Sequence, residues 1–245
     1  MDRRAASLVP ALTPRQLTGR DSQHVQEVTA PACVLHPCVV PALHDMCAAA
    51  ADDGLTLLPV SSFRDFERQR TLWNGKFLGE RPVQDAEGRP VDMRALDAAE
   101  RVRAILVWSA LPGASRHHWG SDLDVVDGQA LAGGYRPRLT REEFLPGGPF
   151  GRLAAWLDAR CGEFGFFRPY DAWRGGVQPE PWHLSYADLA VPALAALDAD
   201  VLREALEGAD IQGKAQVLAQ LPDLHQRYVR GVAEPAGFSR AASFS

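Results

Sequence analysis

The sequence predicts a single mixed domain of helices and short strands. Apolar residues recur at helical spacing in several stretches, beginning with Leu43, Met46, Cys47 and Ala50. Between them lie runs too short for a helix and rich in strand-favouring residues, such as 55–60 and 182–186. A chain of 245 residues, 46% hydrophobic and 23% charged, can bury one generous core.

Residues 1–30 are polar and lack periodic apolar positions, so they read as an irregular N-terminal arm before a domain spanning 31–230. A helix starts at Pro41 and stops near Asp52-Asp53-Gly54, and the run from Leu55 to Val60 is a strand, with Pro59 placing it at an edge or a bulge. Residues 65–75 are helical, capped by Asp65 and carrying Phe66, Leu72 and Trp73 on or near one face. A long loop covers 78–93. A helix over 95–110 is then stopped by Leu111-Pro112-Gly113, since proline disfavours a helical residue before it.

Residues 128–149 are rich in glycine and proline and read as loop. Leu153, Trp156 and Leu157 mark a helix over 152–161, and strands follow at 165–168 and 182–186. Helices are expected at 188–197, 199–207 and 213–229, and a disordered Gly/Ser/Ala tail from 231 to 245.

The formal net charge of -5 argues against nucleic acid as a partner. No stretch approaches the roughly 20 apolar residues of a membrane span. The first ten residues lack a secretory apolar run, which predicts a cytoplasmic protein. Cys33, Cys38, Cys47 and Cys161 read as reduced, buried thiols; with His36 and His44 some of them could suggest a second metal site, but their spacing fits no common zinc pattern. His24, His36, His44 and His225 are expected to be structural.

The chemistry lies in two segments. Ser115-Arg-His-His-Trp-Gly-Ser-Asp-Leu-Asp124 holds the order H-x-x-G-x-x-x-D. His117 and Asp124 would face opposite sides of one unbroken strand, so a bend at Gly120 is expected to bring them together. Glu180-Pro-Trp-His183 adds a second imidazole and a carboxylate. A catalytic zinc takes three protein ligands and keeps a position for water, which a nearby base deprotonates. His117, Asp124 and His183 supply the ligands and Glu180 the base. His118 offers the same chemistry as His117; spacing to Gly120 and Asp124 selects His117 and leaves His118 as a surface or pocket residue. Trp119 and Trp182 read as core or rim aromatics.

Both segments resemble the S-x-H-x-x-G-x-x-x-D and E-x-W-H signatures of the D-Ala-D-Ala zinc metallopeptidases, which include the vancomycin-resistance carboxypeptidases and dipeptidases. Ser61-Ser-Phe-Arg-Asp-Phe-Glu-Arg-Gln69 is similar to that family's S-G-Y-R-S-x-x-x-Q segment, and Phe164-Gly-Phe-Phe to the strand before the last ligand. The likeness covers about residues 41 to 190. It implies an α+β fold, shared with lysostaphin-type peptidases and the hedgehog domain, in which a small antiparallel sheet carries the zinc ligands and helices pack outside.

The resemblance further implies a carboxypeptidase that releases a C-terminal D-amino acid from peptidoglycan stem peptides. Arg64 would stabilise the oxyanion, Ser115 would lie beside the terminal carboxylate, and Gln69 would support the substrate pocket. Asp122 stands where the family often has a small apolar residue, two positions from a ligand and on the same strand face. It is expected either to support a ligand or to crowd the site with charge. An L,D-carboxypeptidase or a free D,D-dipeptidase would carry the same signatures. A zinc-containing binding module without catalysis is the competing class, and retention of both Glu180 and Arg64 argues against it. A magnesium phosphoesterase fits poorly, because two imidazoles favour zinc.

Overall fold

The structure is a computed structural model and describes residues 9–236. A four-stranded antiparallel sheet is built from β3 (Leu57–Ser61), β4 (Asp122–Asp127), β5 (Phe166–Phe167) and β6 (His183–Tyr186), in the order β3-β4-β6-β5. Side chains alternate across it. Leu57, Leu123, Val125 and Leu184 enter a core with Leu43 and Met46 of the Val40–Asp52 helix and Leu153 and Leu157 of the Gly151–Arg160 helix. The opposite face of β4 and β6 therefore carries Asp122, Asp124, His183 and Ser185, and all four are buried.

The register puts Asp124 directly across from His183, and Asp122 across from Ser185. Ser61 pairs with Asp124 on the other side, after a register irregularity between Pro59 and Ser61 where proline cannot donate to the ladder. A second core joins the Phe66–Phe77 and Ala98–Leu106 helices to the C-terminal helices through Trp73, Ile105, Leu106, Leu202 and Leu206. The α+β class and the small antiparallel sheet are as expected; of the three candidate metal residues the sheet carries Asp124 and His183, whereas His117 lies on the Arg116–Trp119 turn before β4.

Several elements differ from the sequence reading. Residues 9–30 are not wholly irregular. Thr13 and Gln16 close a capping box on a short helix, Pro14–Leu17, and β1 (Gln26–Thr29) pairs with β2 (Ala32–Leu35). β1 is largely exposed, so it has no apolar alternation to reveal it, whereas Leu17 is buried in the core. The helix expected over 95–110 is shorter, Ala98–Leu106, because Asp97 and Glu100 form a capping box that fixes its start.

The loop read over 128–149 contains two short helical turns, Gly128–Ala132 and Arg141–Phe144. The helix expected over 213–229 is broken into Lys214–Ala219, Leu221–Leu224 and a π-turn, His225–Val229. Pro222 lies in the first turn of the second piece, where its missing N–H is tolerated. Of the expected tail, residues 231–236 are described, with the Ala233 amide donating to the Pro169 carbonyl, and 237–245 lie outside the described residues. Among the described residues no helix is long and apolar enough to cross a membrane.

Candidate metal centre

The bend expected at Gly120 is present and decides which histidine reaches Asp124. Residues Arg116–Trp119 form one 3-10 turn, and Gly120 closes it in the left-handed region at φ 70°. A Cβ there would lie 2.5 Å from Val25 Cγ1 and 2.8 Å from the His36 amide nitrogen, so only glycine fits both the dihedral and the space. The chain then enters β4 with Asp124 beside the His117 ring.

His117 Nε2 lies 3.4 Å from Asp124 Oδ2, and His183 Nδ1 lies 3.3 Å from Asp124 Oδ1. One ligand atom from each of the three residues falls within 4.8 Å of the others, and no other such cluster occurs among the described residues. Zinc bonds of about 2.0–2.2 Å at tetrahedral angles would put ligand atoms about 3.3–3.6 Å apart. The donor set fits such an ion. Asp124 Oδ1 and His117 Nδ1 are buried without a hydrogen-bond partner in the protein, a condition a bound cation would relieve at the carboxylate.

His183 is oriented from behind. Its Nε2–H donates to Asp122 Oδ1 at 2.8 Å, which leaves the Nδ1 lone pair facing Asp124 and Glu180. Asp122 is wholly buried and also accepts from Arg116 Nε at 2.8 Å, Ser185 Oγ at 3.1 Å and Ser121 Oγ. Burial opposes its charge, but Arg116, His183 and Ser121 together hold its pKa below the usual carboxylate range. The extra carboxylate is therefore neutralised by Arg116 and supports His183 rather than crowding the site. Arg116 and Ser185 were not singled out in the sequence; the signal was the unexplained Asp122, whose charge required a buried partner.

Glu180 Oε2 lies 3.3 Å from His183 Nδ1, and its backbone amide donates to the Tyr170 carbonyl at 2.9 Å. Burial raises its pKa, with Asp124 adding to the shift and the two histidines opposing it. Arg64 donates to Gln69 Oε1 at 2.8 Å and to Ser61 Oγ at 3.1 Å, and its backbone amide donates to the His117 carbonyl. Gln69 is buried and also donates to the Ala110 carbonyl at 2.7 Å, so its amide group is engaged in holding Arg64. Ser115, buried, precedes the 3-10 turn and lines the cleft.

His118 is not the surface or pocket residue expected. It is fully buried, its Nδ1 within 2.5 Å of the Arg64 carbonyl and its Nε2 accepting from the Gly113 amide at 3.1 Å. That pair of bonds selects the neutral Nδ1–H tautomer, and burial pushes the pKa down to about 3. The 3-10 turn points neighbouring side chains in different directions, so His117 faces the centre while His118 braces Arg64 from beneath. Among the described residues Cys33, Cys38 and Cys47 join no three-ligand cluster; they are half-buried thiols outside any disulfide, and burial raises their pKa to about 11.

A cleft of about 720 Å³ includes the centre, and its lining also holds Arg64, Gln69, Ser115, Glu180, Trp108 and Trp182. Both motifs and the Ser61–Gln69 segment fall inside residues 33–189, the stretch matched by the VanY family model, described as D-alanyl-D-alanine carboxypeptidase. The chain belongs to this family.

Among relatives of this D-alanyl-D-alanine carboxypeptidase family member, an uncharacterized protein of Haemophilus influenzae is 43% identical over 103 residues, 41% of this chain and 70% of that one. A D-alanyl-D-alanine carboxypeptidase of Enterococcus faecalis is 25% identical over 155 residues, 62% of this chain and 47% of that one. VanYB in complex with D-alanine-D-alanine superposes with a TM-score of 0.50 at 21% identity, covering 76% of this chain and 89% of that one. A mutant of the vancomycin resistance D,D-pentapeptidase VanY in complex with Zn(II) has the same score and identity, covering 74% and 92%. At that identity the likeness concerns the fold.

Proposed function

We propose that the protein is a zinc-dependent carboxypeptidase that removes the C-terminal D-amino acid from peptidoglycan stem peptides or their precursors. The observation that carries this reading is the convergence of His117, Asp124 and His183 in a cleft that Glu180 and Arg64 also line. A structural metal site would have no use for a base and a cation beside it.

His117, Asp124 and His183 would hold the ion. A bound zinc there would supply Lewis acidity, lowering the pKa of water and polarising a carbonyl. Glu180 takes the proton of the attacking water and passes it to the departing amine, a task helped by a pKa raised toward the working range. Arg64, fixed by Gln69 and Ser61, steadies the negative charge that develops on the carbonyl oxygen. Asp122 keeps His183 in the tautomer that turns Nδ1 forward. Ser115 lines the same cleft.

The size of the cleft favours a stem peptide over free D-Ala-D-Ala, which would leave most of 720 Å³ empty. Metal analysis together with a panel of dipeptide, tripeptide, tetrapeptide and pentapeptide stems tests the reading. About one zinc per chain and release of D-alanine from the pentapeptide are expected. Release only from the tetrapeptide would make the enzyme an L,D-carboxypeptidase, and release from none would overturn the assignment.

A further inference from the structure

The cleft contains a cation that the proposed chemistry leaves unused. The Phe66–Phe77 helix presents Gln69, Leu72, Trp73 and Lys76 to it, positions that share one face of a helix. Lys76 lies two turns beyond Gln69. Its ammonium donates to Ser109 Oγ at 2.5 Å, and Ser109 also lines the cleft. Among the described residues no carboxylate lies within ion-pair distance of Lys76.

A partly buried ammonium with one hydroxyl partner is an expensive arrangement, because two of its three donors lack a protein acceptor. Burial lowers its pKa, the Arg64 charge lowers it further, and Glu180 acts in the opposite sense. Lys76 thus shares its electrostatic field with the two groups placed at the reaction. Arg64 and Lys76 are two cations facing one cleft, each without an ion-pair partner, and they are held differently. Arg64 is clamped by Gln69 and Ser61, whereas Lys76 reaches in on a flexible stem.

A peptide that ends at the cleft brings two anionic positions. One is the oxygen of the bond being cut, which becomes charged during reaction; the other is the carboxylate of the last residue. Standard bond lengths place their carbon atoms only about 3–4 Å apart. Arg64 and Lys76 both line the cleft, so the site offers one cation for the developing oxyanion and a second for the terminal carboxylate.

We propose that Lys76 and Ser109 form the subsite for the substrate's terminal carboxylate, so that Lys76 restricts the enzyme to the chain end. This rests on the carboxypeptidase reading above. A charge-assisted bond to the ammonium rewards a free carboxylate and gives nothing to an amide, while Ser109 fixes where the ammonium sits. An internal peptide bond would present no anion to Lys76 and would leave it unpaired beneath the bound chain.

The test compares binding, without turnover, in the full-length zinc-loaded chain carrying Glu180→Ala. The probes are an N-acetylated pentapeptide stem ending in D-Ala-D-Ala and the same peptide with a C-terminal amide. The carboxylate form is expected to bind on the order of tenfold more tightly. Adding Lys76→Met should abolish that preference by weakening the carboxylate form alone, and Lys76→Arg should restore part of it. Equal weakening of both peptides, an unchanged preference, or binding of neither peptide would overturn the subsite. Turnover by the Glu180 protein is scored separately. A carboxylate preference without hydrolysis of any stem would remove the enzymatic reading and leave Lys76 as the carboxylate anchor of a binding protein.

Discussion

Asp122 Oδ1 accepts a hydrogen bond from His183 Nε2 at 2.8 Å, on the side of the ring away from Asp124 and Glu180. The pair fixes both the tautomer and the tilt of the His183 imidazole. Arg116 on the far side keeps Asp122 ionised. Asp122→Ala should weaken zinc binding about 10–100-fold, and Asp122→Asn should do so less if its amide oxygen faces the ring. Competition with a chromophoric chelator reads the change directly. An unaltered affinity in Asp122→Ala would show that His183 is oriented by packing alone.

Glu180→Ala should separate metal binding from chemistry. Zinc content should remain near one per chain, since Glu180 is outside the ligand set, while kcat falls by about 10²–10⁴ for loss of a general base. His183→Ala should instead lose the metal. A Glu180→Ala protein as active as the parent would remove Glu180 from the mechanism.

Gln69 and Arg64 should act as a unit. Arg64→Ala removes a charge from the developing oxyanion and should lower kcat about 10²–10³-fold. Gln69→Leu leaves the guanidinium held only by Ser61 and should lower kcat less, with little further loss when combined with Arg64→Ala. Additive losses would place Gln69 on the substrate directly.

His118 should make the fold acid-sensitive. Its folded pKa of about 3 lies below the ordinary histidine value of 6.5, so the unfolded chain binds the extra proton first. The stability it supports is complete above pH 6.5 and is lost as pH falls toward 3, at up to about 1.4 kcal/mol per pH unit. Urea midpoints measured between pH 7 and pH 4 should fall more steeply for the parent than for His118→Gln. Parallel slopes would assign the acid limb to other groups.

Gly120→Ala should be among the most damaging single-methyl changes in the chain. The left-handed backbone alone costs about 1–2 kcal/mol, and the added Cβ meets Val25 and the His36 backbone. A lowered melting temperature with reduced zinc affinity is expected, because the same turn aims His117. A fully stable Gly120→Ala protein would show that the β1–β2 hairpin moves aside.

The candidate ligands could be named from the sequence because metal chemistry restricts residue types and the family's spacing restricts their order; the structure brings His117, Asp124, His183 and Glu180 together. Helices with strong apolar periodicity or a visible cap, such as Val40–Asp52, Phe66–Phe77 and Gly151–Arg160, were legible within a residue or two. The short Pro14–Leu17 helix and the β1–β2 hairpin were not. The hairpin is mostly exposed and shows no apolar alternation, whereas the helix did carry a local signal, the Thr13–Gln16 capping box, in a segment otherwise without apolar periodicity.

The sequence by itself determined the chemical inventory: two imidazoles and a carboxylate able to hold a metal, a glycine where the chain must bend, and a further carboxylate three residues before His183. Only the tertiary structure decided what the ambiguous residues do. His118 turned inward under Arg64, Asp122 became the support of His183, and Lys76 came to face the cleft from two turns beyond Gln69. Each depends on which way a side chain points and on what lies across from it. Those are set by a φ of 70° at Gly120 and by the β4–β6 register, and neither is encoded at a single position.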